Sequence, residues 1–168
     1  GIVMNEVYLC LGGNLGNCLA TFEQVCALIE QTVGEVKNQS SLYQSQAWGM
    51  EGAPDFLNQV IRIETKVSVE ELLIFLLEIE KKLGRERTET TAYQSRLIDI
   101  DILFFNKKII KTQALQIPHP RLHLRKFVLE PLNEIAHDFM HPVFNKTISE
   151  LLKSCPDTGQ IKKLSHAV

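Results

Sequence analysis

Arg96-Leu97-Ile98-Asp99-Ile100-Asp101-Ile102-Leu103-Phe104-Phe105 is the stretch on which the reading of this chain turns. Apolar and acidic residues alternate through its centre, the period-two pattern of a β-strand. Successive strand side chains point to opposite faces, so Asp99 and Asp101 share one face and Ile98, Ile100 and Ile102 the other. A strand this apolar is expected to be central in its sheet and largely buried. Two carboxylates on one face repel each other unless solvent or a cation lies against them. Mg²⁺ suits such a pair, because it takes one or two carboxylates and completes its shell with phosphate oxygens and water. The pattern alone is also that of a strand with a solvated acidic face, and the rest of the chain has to decide.

Outward toward the N-terminus, Arg85 to Ser95 is polar and aperiodic, a loop that carries Arg85 and Arg87 directly before the acidic strand. Guanidinium groups present planar forks of donors that match phosphate oxygens. Ahead of the loop, Ser68 and Glu71 form a capping-box pattern for a helix with Leu72, Phe75, Leu76, Ile79 and Leu83 on one face, ending at Gly84. Asp55 to Thr65 is a second alternating strand, and Glu35 to Gln44 reads as a single, partly exposed one. Ser45 to Pro54, with Trp48, reads as a loop. Glu6 to Leu11 reads as the first strand, followed by the glycine-rich turn Gly12-Gly13-Asn14-Leu15-Gly16-Asn17. That turn is neither a Walker A loop nor G-x-G-x-x-G. A helix with Leu19, Phe22, Val25, Cys26, Leu28 and Ile29 at helical spacing runs from it to Gly34.

On the C-terminal side, Lys108 to Leu115 is expected to be irregular or extended. Ile117-Pro118-His119-Pro120-Arg121-Leu122-His123-Leu124-Arg125-Lys126-Phe127 concentrates histidine, arginine and lysine between prolines and an aromatic. His119 and His123 are four apart, but H-E-x-x-H lacks its glutamate here, so a basic patch for a polyphosphate is the better reading. Val128 to Ala136 and Ile148 to Leu152 read as short helices, the first preceded or broken by Pro131 and the second capped by Thr147 or Ser149. The tail from Ser154 is expected to be peripheral, and His137, His141 and His166 show no evident chemistry.

The predicted order is β-α-β-β-α-β, an α+β ferredoxin-like arrangement with a mainly antiparallel sheet. In that arrangement the first strand neighbours the acidic strand. The chain has 168 residues, 45% of them hydrophobic, and a formal charge of -2. That describes a single domain over residues 1–168 with no whole-protein field for nucleic acid or an anionic membrane. No apolar run approaches a membrane span and no signal peptide heads the chain, so a cytoplasmic protein is expected. Met4 reads as the natural start, with Gly1-Ile2-Val3 as a cloning remnant. Cys10, Cys18, Cys26 and Cys155 match neither a zinc site nor a disulfide framework.

Four blocks taken together resemble the 6-hydroxymethyl-7,8-dihydropterin pyrophosphokinase family of folate biosynthesis. They are Leu11-Gly12-Gly13-Asn14-Leu15-Gly16, Asp55-Phe56-Leu57-Asn58, Arg96 to Leu103, and Pro118-His119-Pro120-Arg121 continuing through Arg125 to Leu132. The resemblance runs from about Glu6 to Leu152. It implies transfer of a diphosphoryl group from ATP to the pterin hydroxymethyl group, releasing AMP, by an enzyme that acts on two small molecules as a monomer. It further implies that Asp99 and Asp101 hold two Mg²⁺ ions. Arg85, Arg87 and Arg96 are implied to act on the phosphates, and Glu80, His119, Arg121 and Arg125 to bind ATP. Phe56 and Phe127 are implied to sandwich the pterin while Asn58 reads its edge, helped by backbone near Ser45 and Trp48. The chain departs from the family pattern at Ser45 to Gly49, at Tyr93 where a tryptophan is common, and at Leu77 where some members carry glutamine. Two other readings fit the same pattern less fully: a non-catalytic ferredoxin-like module that senses a nucleotide or metal, and a γ-phosphoryl kinase.

Overall fold

The computed structural model describes residues 3–13, 18–45, 56–84 and 98–164. In chain order these form β1 (Asn5–Gly13), α1 (Cys18–Thr32), β2 (Gly34–Gln39), β3 (Tyr43–Ser45), β4 (Phe56–Thr65), α2 (Val69–Gly84) and β5 (Asp99–Phe105). Then come β6 (Ile110–Lys111), β7 (Gln116–Ile117), a 3-10 turn at Leu122–Leu124, α3 (Lys126–Ala136), α4 (Ile148–Lys153) and β8 (Ile161–Lys163). The main sheet runs β5-β1-β4-β3-β8, and β2 pairs with the other half of β4 on the same edge as β3. Every pairing in it is antiparallel. Taking β2 and β3 as one interrupted strand, this is the ferredoxin-like order predicted from the sequence.

Both faces of the sheet are covered. Leu9, Leu11, Ile61, Ile63, Ile100 and Ile102 pack against Phe22, Val25 and Ile29 of α1 and Leu72, Leu76 and Ile79 of α2. Tyr8, Cys10, Val60, Leu103 and Phe104 pack on the opposite face against α3 and α4, through Val128, Leu129, Leu132, Ile148 and Leu151. A register shift in the β1–β5 ladder lies between Tyr8 and Leu9, where Phe104 and Ile102 are their partners. The extra residue, Leu103, joins Phe104 on the α3 face, and the strict alternation of β5 ends there. Asp99 and Asp101 lie before the shift, opposite Gly12 and Cys10.

Several expectations need correction. The acidic strand is not central: among the described strands β5 pairs with β1 alone and is an edge of the sheet. Its outer edge is closed by other groups, since the Ile100 amide donates to Glu80 Oε2 at 2.6 Å and the His119 amide to the Leu103 carbonyl at 3.1 Å. That cover explains how an edge strand stays buried, with Ile98, Leu103, Phe104 and Phe105 at 0–1% exposure. The single strand expected over 35–44 is two strands. At Ser40 the hydroxyl accepts from the Val60 amide, and the Ser40 carbonyl accepts from the Gln59 side chain, so side-chain bonds interrupt the ladder. The stretch 108–115, read as irregular or extended, is extended at β6, which forms a small hairpin with β7. Pro131 lies inside α3 without ending it. The tail expected to be peripheral supplies β8, paired to β3.

Local signals set the other boundaries. Ser68 and Glu71 make the reciprocal capping box at the head of α2, and Thr147 and Glu150 make another at α4. Gly34 is the first residue of β2 rather than only the end of α1, and a Cβ there would stand 2.0 Å from the Glu64 carbonyl oxygen. All four cysteines are free thiols. No described helix is long and apolar enough to cross a membrane.

Candidate active site

The α3 face of the sheet runs out of apolar cover beyond Cys10 and Val60. Its next row is Asn58, Gly12 and Asp99, cross-strand partners on β4, β1 and β5. A cavity of about 310 Å³ opens over this row. Phe56 and Asn58 enter it from β4, Ser45 from β3, and Arg125 and Phe127 from the head of α3. Asp99 and Asp101 line it from β5.

Asn58 is 6% exposed and sits against the glycine. Its Nδ2 donates to the Leu11 carbonyl at 3.5 Å and toward Cys10 Sγ at 3.7 Å. The amide orientation follows from those acceptors, and it leaves Oδ1 buried without a partner. A buried amide oxygen lining a cavity is a ready acceptor for a ligand N–H. Gly12 is needed for this arrangement, since a Cβ would stand 2.9 Å from Asn58 Nδ2. Beneath the amide, Cys10 is 4% exposed, and burial, with the Asp101 charge adding to it, pushes its thiol up to about 12. Cys10 is therefore an inert part of the floor.

A second cavity of about 600 Å³ lies on the outer side of β5. Leu73, Leu77 and Glu80 line it from α2, and His119, Arg121 and Arg125 from the segment after β7. Asp99, Asp101 and Arg125 line both cavities, so the two adjoin at the carboxylate pair. The Ile117–Pro118 bond is cis, and His119 follows it. His119 Nδ1 accepts from the Arg121 amide at 3.2 Å. Burial holds the imidazole below its usual range, Arg125 and Arg121 act the same way, and Asp101 opposes them. A neutral ring whose Nδ1 accepts carries its proton on Nε2, and that N–H is a donor for an anion in the second cavity.

The sequence-predicted site residues within the described chain converge here. Ser45, Phe56, Asn58 and Phe127 line the first cavity, Glu80, His119 and Arg121 the second, and Asp99, Asp101 and Arg125 both. Glu80 is buried, with Oε2 on the Ile100 amide, so part of its carboxylate is engaged in fixing β5. Arg85, Arg87, Arg96, Trp48 and Tyr93 lie outside the described residues, as do the predicted loop over 85–95, the other predicted loop from 46 onward and the end of the glycine-rich turn. Sequence reasoning missed Cys10, Gln113, Gln116 and the stretch from Asp157 to Ile161, of which Asp157, Gly159, Gln160 and Ile161 face the first cavity. Cys10 could have been found from strand register, because it is two residues before Gly12. The tail residues carry no local signal.

A cavity lined by two phenylalanines, adjoining at paired carboxylates a second one lined by arginines and a histidine, defines a phosphoryl-transfer enzyme on a ferredoxin-like sheet. Residues 8–137 match the sequence model of the family described as 7,8-dihydro-6-hydroxymethylpterin-pyrophosphokinase (HPPK), and the chain belongs to that family. It is 37% identical over 147 residues to the 2-amino-4-hydroxy-6-hydroxymethyldihydropteridine pyrophosphokinase of Aquifex aeolicus, covering 88% of this chain and 90% of that one. The Haemophilus influenzae protein of the same name is 36% identical over 160 residues, covering 95% and 98%. The folic acid synthesis protein FOL1 of Dictyostelium discoideum is 36% identical over 164 residues, which are 95% of this chain but 24% of that one. The solved structure of wild-type Plasmodium falciparum HPPK-DHPS superposes with a TM-score of 0.72 at 19% identity, covering 90% of this chain and 44% of that one. The chain thus spans under half of that structure, and the likeness is one of fold. As a family member it is a pyrophosphokinase, a transferase of folate biosynthesis with ATP as co-substrate.

Proposed function

We propose that the two joined cavities are the two substrate sites of diphosphoryl transfer from ATP to 6-hydroxymethyl-7,8-dihydropterin. The observation that carries this reading is the sharing of Asp99, Asp101 and Arg125 by both cavities. A reaction that joins two substrates needs its charge-stabilising groups at the junction, where the reacting atoms meet. The pterin lies between Phe56 and Phe127, its faces covered by aromatic rings, and one edge N–H is read by Asn58 Oδ1. Backbone near Ser45 and Trp48 reads the rest of that edge. The triphosphate lies in the second cavity against His119, Arg121 and Arg125, and Arg85, Arg87 and Arg96 serve as further phosphate partners. Glu80 serves the nucleotide site chiefly by holding β5, the strand that presents both aspartates.

In the reaction the hydroxymethyl oxygen attacks the β-phosphorus, the bond from that phosphorus to the oxygen bridging to the α-phosphate breaks, and AMP leaves with the electron pair. The hydroxyl proton passes to solvent. Guanidinium groups stabilise the charge that builds on the leaving oxygen, and the His119 Nε2–H orients the phosphate chain. Asp99 and Asp101 are the groups to hold two Mg²⁺ ions. The donor set fits: two hard carboxylates on one strand face, and no third His, Cys, Asp or Glu completing a cluster among the described residues. Mg²⁺ takes such a partial set together with substrate phosphates, whereas an all-protein cage suits other metals. Mg²⁺ held by these two carboxylates would supply charge neutralisation for the phosphates and a lower pKa for the pterin hydroxyl. The whole of residues 1–168 acts as one monomeric, cytoplasmic domain without nucleic acid or membrane.

The test mixes protein, ATP, Mg²⁺ and the hydroxymethyl pterin and resolves the nucleotide products by chromatography. AMP that depends on the pterin is expected, and Asp101→Ala is expected to lower its rate by about 10³-fold with the circular dichroism spectrum retained. ADP in place of AMP would make the protein a γ-phosphoryl kinase. No pterin-dependent turnover at all would leave the sensing module as the better reading.

A further inference from the structure

The substrate assignment leaves one wall of the first cavity without a role. Asp157, Gly159, Gln160 and Ile161 form it, from the tail that follows α4. The tail is fixed at both ends. Cys155 packs against the core under α3 and α4. Beyond the wall, Ile161 pairs with Ser45 of β3, and the Leu164 amide donates to the Leu42 carbonyl at 2.9 Å.

Asp157 connects this wall to the head of α3. Its Oδ2 accepts from the Lys126 amide at 3.0 Å and its Oδ1 from the Gly159 amide at 2.8 Å. Lys126 is the first residue of α3, and the residue at the N-cap, Arg125, makes no side-chain cap. Helices leave their first amides without internal partners, and a carboxylate there also meets the positive end of the helix dipole. The cap of α3 therefore comes from the distant tail rather than from the sequence next to the helix. The tethered amide sits between the two residues that matter most in this segment. Arg125 lines both cavities, Phe127 lines the first, and the Arg125 guanidinium stands 5.6 Å from the centre of the Phe127 ring.

We propose that Asp157 is a positioning residue for the pterin: its carboxylate fixes the Arg125-Lys126-Phe127 turn, and the run from Asp157 to Ile161 closes the cavity around the ring. The assignment rests on the diphosphoryl-transfer reading above. Phe127 offers a stacking face only if its backbone is held, because a helix start without a cap frays within its first turn. The hydrogen bonds from Lys126 and Gly159 hold the Asp157 carboxyl below its usual range, so the tether is intact through the neutral range. ATP binding depends on it less, and only through Arg125, since His119 and Arg121 stand on a segment that the tail does not touch with any described hydrogen bond.

The test is steady-state kinetics on Asp157→Ala and Asp157→Asn, with AMP as readout and thermal melting of each variant. Asp157→Ala is expected to raise the pterin KM about tenfold, with the ATP KM and kcat within about threefold of the parent. Asp157→Asn keeps an oxygen acceptor in the same place and is expected to recover most of the pterin affinity. An unchanged pterin KM in Asp157→Ala, beside an active parent, overturns the assignment alone. Equal losses for both substrates with a lowered melting point in both variants also overturn it, because they make the residue merely structural. A parent that forms no AMP with pterin overturns the reaction and this assignment together.

Discussion

Gly12 shows how much a single missing Cβ can decide. Strand register places it beside Asn58 and Asp99, at the point where the apolar face becomes a ligand site. A methyl group at this position would press on the Asn58 amide from 2.9 Å, and the atom it meets is the end of a side chain that can swing. The fold should therefore survive Gly12→Ala while the amide oxygen loses its aim. We expect the pterin KM to rise at least about tenfold and the melting temperature to move by no more than about 4 °C, roughly one kilocalorie for a chain of this size. Kinetics together with a melting curve check this, and a normal pterin KM would show that the amide does not read the substrate. Asn58 itself was legible from sequence only through family resemblance. Its unpaired Oδ1, by contrast, is a purely structural sign of a missing donor.

The edge strand β5 sets the geometry of the Asp99 and Asp101 carboxylates, and Glu80 sets β5. Its buried carboxylate accepts the Ile100 amide at 2.6 Å, between the two aspartates in sequence. Glu80→Ala leaves that amide buried without its acceptor, a loss of about 1–3 kcal/mol. We expect a lower melting temperature together with a reduced kcat, because both carboxylates proposed to hold Mg²⁺ shift with the strand. A rise in the ATP KM alone, with unchanged melting, would instead make Glu80 a direct nucleotide contact. The pattern of β5 could be read from its alternation, and α2 from its capping box, because both signals are local. That β5 lies at an edge could not be read, since burial there comes from distant partners, Glu80 and His119. The break at Ser40 was equally hidden: one hydroxyl accepts a strand amide, and β propensity carries no trace of that. The cap of α3 by Asp157 and the pairing of β8 with β3 depend on contacts between remote parts of the chain.

Across the whole molecule, the two faces of the sheet divide the work. The α1/α2 face is apolar along its length, whereas the α3/α4 face is apolar at one end and holds the first cavity at the other. The order of elements predicted that β1 neighbours β5, as it does, but not this division of the two faces. It did not predict the role of His141, which read as having no chemistry and is 3% exposed in the cluster remote from both cavities. Its ring stacks on Phe144 at 4.4 Å and meets Phe104 edge-on at 5.5 Å. Its Nδ1 accepts from the Val143 and Phe144 amides at 3.1 and 3.2 Å, an acceptor role that a proton on Nδ1 would abolish. Burial, helped by the charges of His123 and Lys107, pushes the imidazole down to about 4. An unfolded histidine titrates near 6.5, so between those values the unfolded chain binds the proton and the folded chain does not. Stability from this group is complete above about pH 6.5 and is lost as the pH falls toward 4. We expect urea unfolding to show about 1–2 kcal/mol less stability at pH 5 than at pH 7 from this residue. His119 is shifted in the same direction and adds to the total, so the informative quantity is the difference between the parent and His141→Asn. Asparagine retains an oxygen to accept the two amides but does not titrate, so its pH slope should be shallower while kcat at pH 7 stays near that of the parent. Equal slopes in the two proteins would show that His141 is protonated in the folded state and that the aromatic cluster does not hold it neutral.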